Sequence, residues 1–177
     1  MTELTLPSLA DLGIVPGSFI RKLDNRNHWN AYKDETDAAS ASLLIAAKVF
    51  KDKGNIYSLW WVYTDQEFYG VVALLTENAT PRDRKIDFIW ILEHELQEVG
   101  IACRNVSEGS CLHVENLHFD AEIDSGMAQQ LCHILWTRNR EAKRCLKENT
   151  IQILEHQQNL GCKATETSLE NCECETW

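Results

Sequence analysis

The sequence predicts an α/β or α+β domain, a small, partly parallel sheet of about three strands flanked by helices, with a long amphipathic helix at the C-terminal end. Three observations carry this expectation. Two bulky runs, IYSLWWVY at 56–63 and IDFIWI at 86–91, have the β-branched and aromatic content of strands. A segment of helical spacing separates them, giving a strand, helix, strand order with a crossover long enough for a parallel pair. Beyond residue 120, leucines recur at helical spacing and no proline interrupts residues 121–160.

Residues 1–32 have weak periodicity, with turns at Pro7, Pro16 and Gly17, so residues 1–33 read as coil and short pieces wrapping the domain. Trp29 there reads as an anchor into the core. Residues 34–161 form the domain proper. A helix is expected from about residue 35 to 53, with Asp34 as its cap, a nearly all-apolar interior and Gly54 as its stop. After the first strand, Thr64 and Glu67 fit a capping box, and Phe68, Val71, Val72 and Leu75 fit a helix from Asp65 to about residue 77. A strand over 66–76 is the competing reading, because Gly70 weakens a helix. The second strand runs into a short helix from Glu93 to Val99, closed by Gly100. A third strand is expected over 111–119.

Asp120 reads as the cap of the last element. At about 100° per residue, Leu131, Leu135, Ala142, Leu146, Ile153 and Leu160 fall in one stripe. Asn149 and Thr150 could divide this helix in two. Uninterrupted, its roughly 40 residues would reach about 60 Å and overhang so small a domain, which points to a partner helix or a second subunit. Arg138 lies within the stripe, while Arg140, Lys143, Arg144 and Lys147 gather opposite it. These five cations are the candidate partner-binding residues, facing an acidic protein surface or the acidic tail.

That tail, residues 162–177, contains three of the seven cysteines and is expected to fray. With His156 it makes the most suggestive ligand cluster, His156, Cys162, Cys172 and Cys174. Thiolates and imidazole suit zinc, although the spacing lacks a paired CxxC knuckle. Free, oxidation-sensitive thiols are the competing reading, and apart from zinc no cofactor is suggested. A second group, Cys103, Cys111, His113 and His118, does not converge from one strand. Asp65, Glu67, Asp87, Glu93 and His94 could form an acidic metal centre at strand ends.

The formal charge of the 177 residues is −10, and residues 61–177 hold twenty acids against ten bases, which disfavours a broad nucleic-acid surface. No run approaches the length of a membrane helix, the first twenty residues lack the form of a signal peptide, and the cysteines show no secreted-domain framework. The expected location is therefore the cytoplasm. No phosphate cradle, nucleophile elbow or dinucleotide loop is present in the sequence. The function that best accommodates these features is a non-enzymatic regulatory or adaptor protein acting through protein–protein recognition by its C-terminal helix, with a protein partner or a second copy of itself. The alternative is a small metal- or thiol-dependent enzyme.

Overall fold

The computed structural model describes residues 6–31, 37–50, 54–76, 85–106, 114 and 116–161. Within these, the chain forms an α+β fold of six strands and six helices. In chain order they are β1 (Ser18–Leu23), α1 (Asn27–Asn30), α2 (Ala38–Val49), β2 (Ile56–Val62), α3 (Asp65–Thr76), β3 (Ile86–Leu92), α4 (Glu93–Val99), β4 (Cys103–Asn105), β5 (His118–Glu122), α5 (Ser125–Thr137), β6 (Lys143–Cys145) and α6 (Lys147–Asn159). The sheet order is β4-β5-β2-β1-β3-β6, and every neighbouring pair is antiparallel.

The expected three-stranded, partly parallel sheet is therefore wrong. The two bulky runs are strands, but they do not pair with each other. Between them lies β1, which pairs along Val62, Trp61 and Trp60 on one side and, over its own full length, with residues 87–92 of β3 on the other. This strand comes from the segment expected to wrap the domain as coil. Its sequence, SFIRKL, does alternate, but Arg21 and Lys22 interrupt the apolar signal. Their stems explain how cations are accommodated in an interior strand. The Arg21 guanidinium lies 5.1 Å from the Tyr57 ring centroid, and Lys22 reaches out to donate to the Leu75 carbonyl.

Helices cover both faces of the sheet. Phe19, Leu59, Ile89 and Ile91 point into one core with residues of α2, α4 and α5, while Ile20, Val62, Phe88 and Trp90 point into a second core with α3 and α6. A strand buried on both faces needs apolar residues at every position, and such continuous runs are the usual mark of parallel strands. That is why β2 and β3 resembled a parallel pair.

Several local expectations hold. Helix α3 starts with the Thr64 and Glu67 capping box, in which Thr64 Oγ1 accepts from the Glu67 N–H at 3.2 Å and Glu67 Oε2 accepts from the Thr64 N–H at 2.9 Å. Residues 66–76 are helical. Gly100 closes α4 in the left-handed conformation, at φ 80°. Trp29 is buried in the first core. For α2 the cap is Asp37, which accepts from the Ala39 N–H, while Asp34 lies outside the described residues. The third strand covers His118–Glu122 rather than 111–119, and residues 111–113 lie outside the described residues.

The long C-terminal helix does not form as one element. Its cap is Asp124, not Asp120, through a 2.8 Å bond from the Met127 N–H, and α5 ends at Thr137. There Asn139 takes φ 54°, the Arg140 N–H returns to the Leu135 carbonyl, and the Asn139 N–H returns to the Trp136 carbonyl. These two bonds around a left-handed residue are a Schellman stop, one that asparagine can supply in place of glycine. The chain then forms β6 and re-enters a helix at Lys147, so the break falls at 138–146 and not at Asn149 and Thr150. Leu131 and Leu135 pack in the first core and Ile153 in the second, on opposite faces of the sheet. The stripe on the helical wheel thus joins two independent apolar faces. Neither overhangs the domain.

Gly100 meets no atom within 4 Å of an added Cβ, so its substitution tests the backbone alone. Gly100→Ala is expected to cost about 1–2 kcal/mol of unfolding free energy, and Gly100→Asn less, read as shifts of the urea midpoint. An alanine variant as stable as the parent would show that the left-handed conformation is not retained.

Candidate functional site

The five candidate partner-binding residues, Arg138 expected in the apolar stripe of one long helix and the other four on its opposite face, lie instead on the turn after α5, on β6 and at the start of α6. Three of the five are hydrogen-bonded to acids of the fold, and a fourth, Lys143, lies 3.7 Å from Glu141. Arg144, on β6, directly faces Asp87 in the β3 register, and donates from Nε and Nη2 to the two carboxylate oxygens at 2.6 and 2.7 Å. Arg138 donates to Glu98 at 2.7 and 3.0 Å and to Glu95 Oε1 at 3.1 Å, and its Nη1 lies 3.4 Å from His94 Nε2. Arg140 donates from Nη2 to the same Glu95 Oε1 at 2.6 Å.

Glu95 is the centre of this arrangement. Its side chain is 0% exposed, and its second oxygen accepts from the Leu92 N–H at 2.8 Å, at the start of α4. A carboxylate so placed is compensated by the helix N-terminus and by two guanidinium groups. Arg140 is in turn 7% exposed and lies over Trp90, with its guanidinium carbon 3.3 Å from the ring centroid. Its own carbonyl accepts from the Trp29 indole at 2.7 Å, so a buried aromatic of α1 holds the turn in place. Burial pulls the Arg140 guanidinium below its ordinary pKa and the Arg138 charge adds to this, against the opposing pull of Glu95.

Around these groups is a cleft of about 390 Å³ bounded by Gly13, Trp90, Asn139, Arg140, Glu141 and Lys143, with Arg138 at its rim. Lys143 Nζ is 3.7 Å from Glu141 and 3.7 Å from the position a Cβ would take on Gly13. Three buried N–H groups at this cleft, Arg140 Nε and Nη1 and Trp90 Nε1, have no hydrogen-bond partner among the described residues. Sequence reasoning singled out Arg140 and Lys143 and noted Glu95 beside Glu93 and His94 as an acid at a strand end, but it did not bring Glu95 to the arginines and it missed Trp90 and Gly13. No local pattern links residues that meet only through the sheet edge.

The other candidate sites do not assemble in this way. Of the zinc cluster, only His156 lies among the described residues, where Nε2 is 3.0 Å from Gln66 Oε1 and the ring packs edge-on against Tyr69. Cys162, Cys172 and Cys174 lie outside them, as do Cys111 and His113. His118 stacks on Trp60, with ring centroids 4.3 Å apart. Asp65 accepts from the Leu9 N–H, Glu67 caps α3 and Asp87 holds Arg144, while Glu93 and His94 are exposed. Among the described residues no three His, Cys, Asp or Glu side chains converge as metal ligands. Burial, with the Glu93 charge adding to it, pushes the Cys103 thiol up to about 11, and burial also raises Cys132 and Cys145. A nucleophilic thiolate needs the opposite shift. No helix among the described residues is long and apolar enough to cross a membrane.

Comparison with protein-family models, curated proteins and solved structures finds no match for this chain.

Two outcomes follow from the ion pairs. Glu95→Ala leaves Arg140 buried without its carboxylate, and is expected to cost about 3–5 kcal/mol in chemical denaturation; a loss near zero would place Arg140 in water. Burial acts to raise the Asp87 pKa, but bonds from Arg144 and from the Arg26 N–H outweigh it and hold the carboxyl below its usual range. A depressed folded pKa contributes stability that is present above the unfolded value, near about 3.9, and is lost as pH falls through the folded one. Asp87→Asn should therefore be less stable than the parent by about 1.5–3 kcal/mol at neutral pH, with the gap closing below about pH 4. A gap independent of pH would remove the ion pair as its cause.

Proposed function

We propose that this is a non-enzymatic regulatory or adaptor protein that acts through protein–protein recognition, using the segment 138–147 at the sheet edge in place of a continuous helix. The observation that carries the reading is the position of β6. It pairs with β3 on one side, and among the described residues its outer edge pairs with no strand. An open edge offers main-chain donors and acceptors to an added strand. Immediately after it, Leu146 is 53% exposed and Lys147 is exposed, so an apolar contact and a cation stand beside the edge.

The cations define the class of partner. Arg138, Arg140 and Arg144 hold Glu95, Glu98 and Asp87 and shape the segment, while Lys143, paired only at 3.7 Å with the exposed Glu141, and Lys147 are the cations beside the edge that meet the partner's charge first. A lysine on an edge strand, with a second one just beyond it, discourages pairing between like copies and favours an acidic partner. A partly exposed surface of this kind gives recognition that weakens with salt. A cytoplasmic setting belongs to the same reading, because the spacing of the seven cysteines gives no secreted-domain framework.

Affinity capture from the source cells, followed by binding measurements with the purified partner, tests this reading. Lys143→Glu with Lys147→Glu is expected to weaken binding by about tenfold or more, while leaving the unfolding midpoint within about 0.5 kcal/mol of the parent. Recovery of the same partners at equal strength would reject the segment as the recognition element. Concentration-dependent sedimentation that loses its dimer in the same variant would identify a second copy of the chain as the occupant.

A further inference from the structure

We infer that the cleft beside β6 is a carboxylate-binding site, and that the partner proposed above inserts an acidic side chain into it. The inference rests on that reading for the source of the carboxylate but not for the site itself, which the fold already contains.

Arg140 is the reason. Its side chain is more than nine-tenths buried, yet only Nη2 has an acceptor, and both Nε and Nη1 remain without one. Buried guanidinium donors are costly to leave unmade, and native proteins rarely leave them so unless a ligand or water completes them. The Trp90 indole Nε1 is in the same condition. Arg140 cannot turn away to satisfy its donors, because Glu95 holds one end, Trp90 supports the plane and Trp29 fixes the carbonyl. The guanidinium is thus fixed in place, and the Lys143 ammonium stands at the cleft, 3.7 Å from the position a Cβ would take on Gly13. An incoming anion would accept from the Arg140 donors and from Lys143 Nζ.

Charge balance selects a carboxylate over a phosphate. Arg138, Arg140 and Lys143 are matched by Glu95, Glu98 and Glu141, all within the same group of contacts. A neutral cluster tolerates one added negative charge better than the nearly two of a phosphate monoester, and the chain as a whole carries −10. The volume of about 390 Å³ admits an acidic side chain and its neighbours.

The test is a titration of the full-length, nitrogen-15-labelled protein with acetyl-glutamate amide, acetate and inorganic phosphate, following the Arg140 Nε–H and Trp90 indole resonances. Saturable shifts at both sites with the two carboxylates, and weaker ones with phosphate, are expected. Lys143→Glu should weaken carboxylate binding by roughly tenfold. Arg140→Lys, which keeps a cation beside Glu95, should abolish it with the circular dichroism unchanged; should that variant fail to fold, Lys143→Glu still decides. The assignment is overturned by no saturable response, by a response indifferent to Lys143→Glu, or by phosphate binding more tightly than carboxylate. Lys147, outside the cleft, separates the two proposals. Partner capture that still depends on Lys147 without any carboxylate response rejects the cleft alone. A carboxylate response without a charge-sensitive protein partner rejects the recognition reading and leaves a free organic acid as the ligand.

Discussion

Glu95 has no exposed side-chain surface, and the edge of this fold is organised around giving partners to its two oxygens. One oxygen is shared by Arg138 and Arg140 and the other closes the N-terminus of α4. A buried pair of this type adds little net stability relative to an apolar replacement, since desolvation offsets the attraction. Its consequence is positional. Both arginines lie in the turn after α5, so that turn can occupy only one place, over Trp90 and under the Trp29 indole. The direction in which the chain leaves α5, and therefore the register of β6 on β3, follows from it.

The second constraint is the insertion of β1 between β2 and β3. An antiparallel sheet ordinarily leaves one face to water. Here the first face takes α2, α4 and α5, the second takes α3 and α6, and the strands between them are apolar on both sides. The chain must therefore cross from one face to the other between α5 and α6. That crossing is the segment 138–146, and it carries the basic residues because it runs along the rim where side chains reach both the buried acids and water. The same geometry produces the cleft: a crossing segment cannot pack as closely against the N-terminal turn as a helix packs on a sheet.

Much of the local structure was legible in the sequence because its causes are local. The capping box at Thr64 and Glu67, the left-handed stop at Gly100 and the strand character of the two bulky runs each depend on residues within a few positions of one another. Arg138 was recognised as anomalous in an apolar stripe, and Arg140, Lys143, Arg144 and Lys147 as a concentration of positive charge. What the stripe concealed was Asn139. A left-handed asparagine ends a helix without the glycine that usually announces it, and with leucines on either side at compatible spacing the wheel ran on across two helices.

The sequence by itself determined the helices and strands with local signals, the acidity, and the concentration of basic residues in the segment 138–147. The tertiary structure alone decided that β1 belongs at the centre of the sheet, that the C-terminal stripe is divided between opposite faces, and that Glu95, Trp90 and Gly13 join Arg140 in one cleft. The physical reason is separation along the chain. Ion pairs and sheet registers join residues tens of positions apart, where no periodicity records the contact, whereas caps and turns are settled within a single turn of backbone.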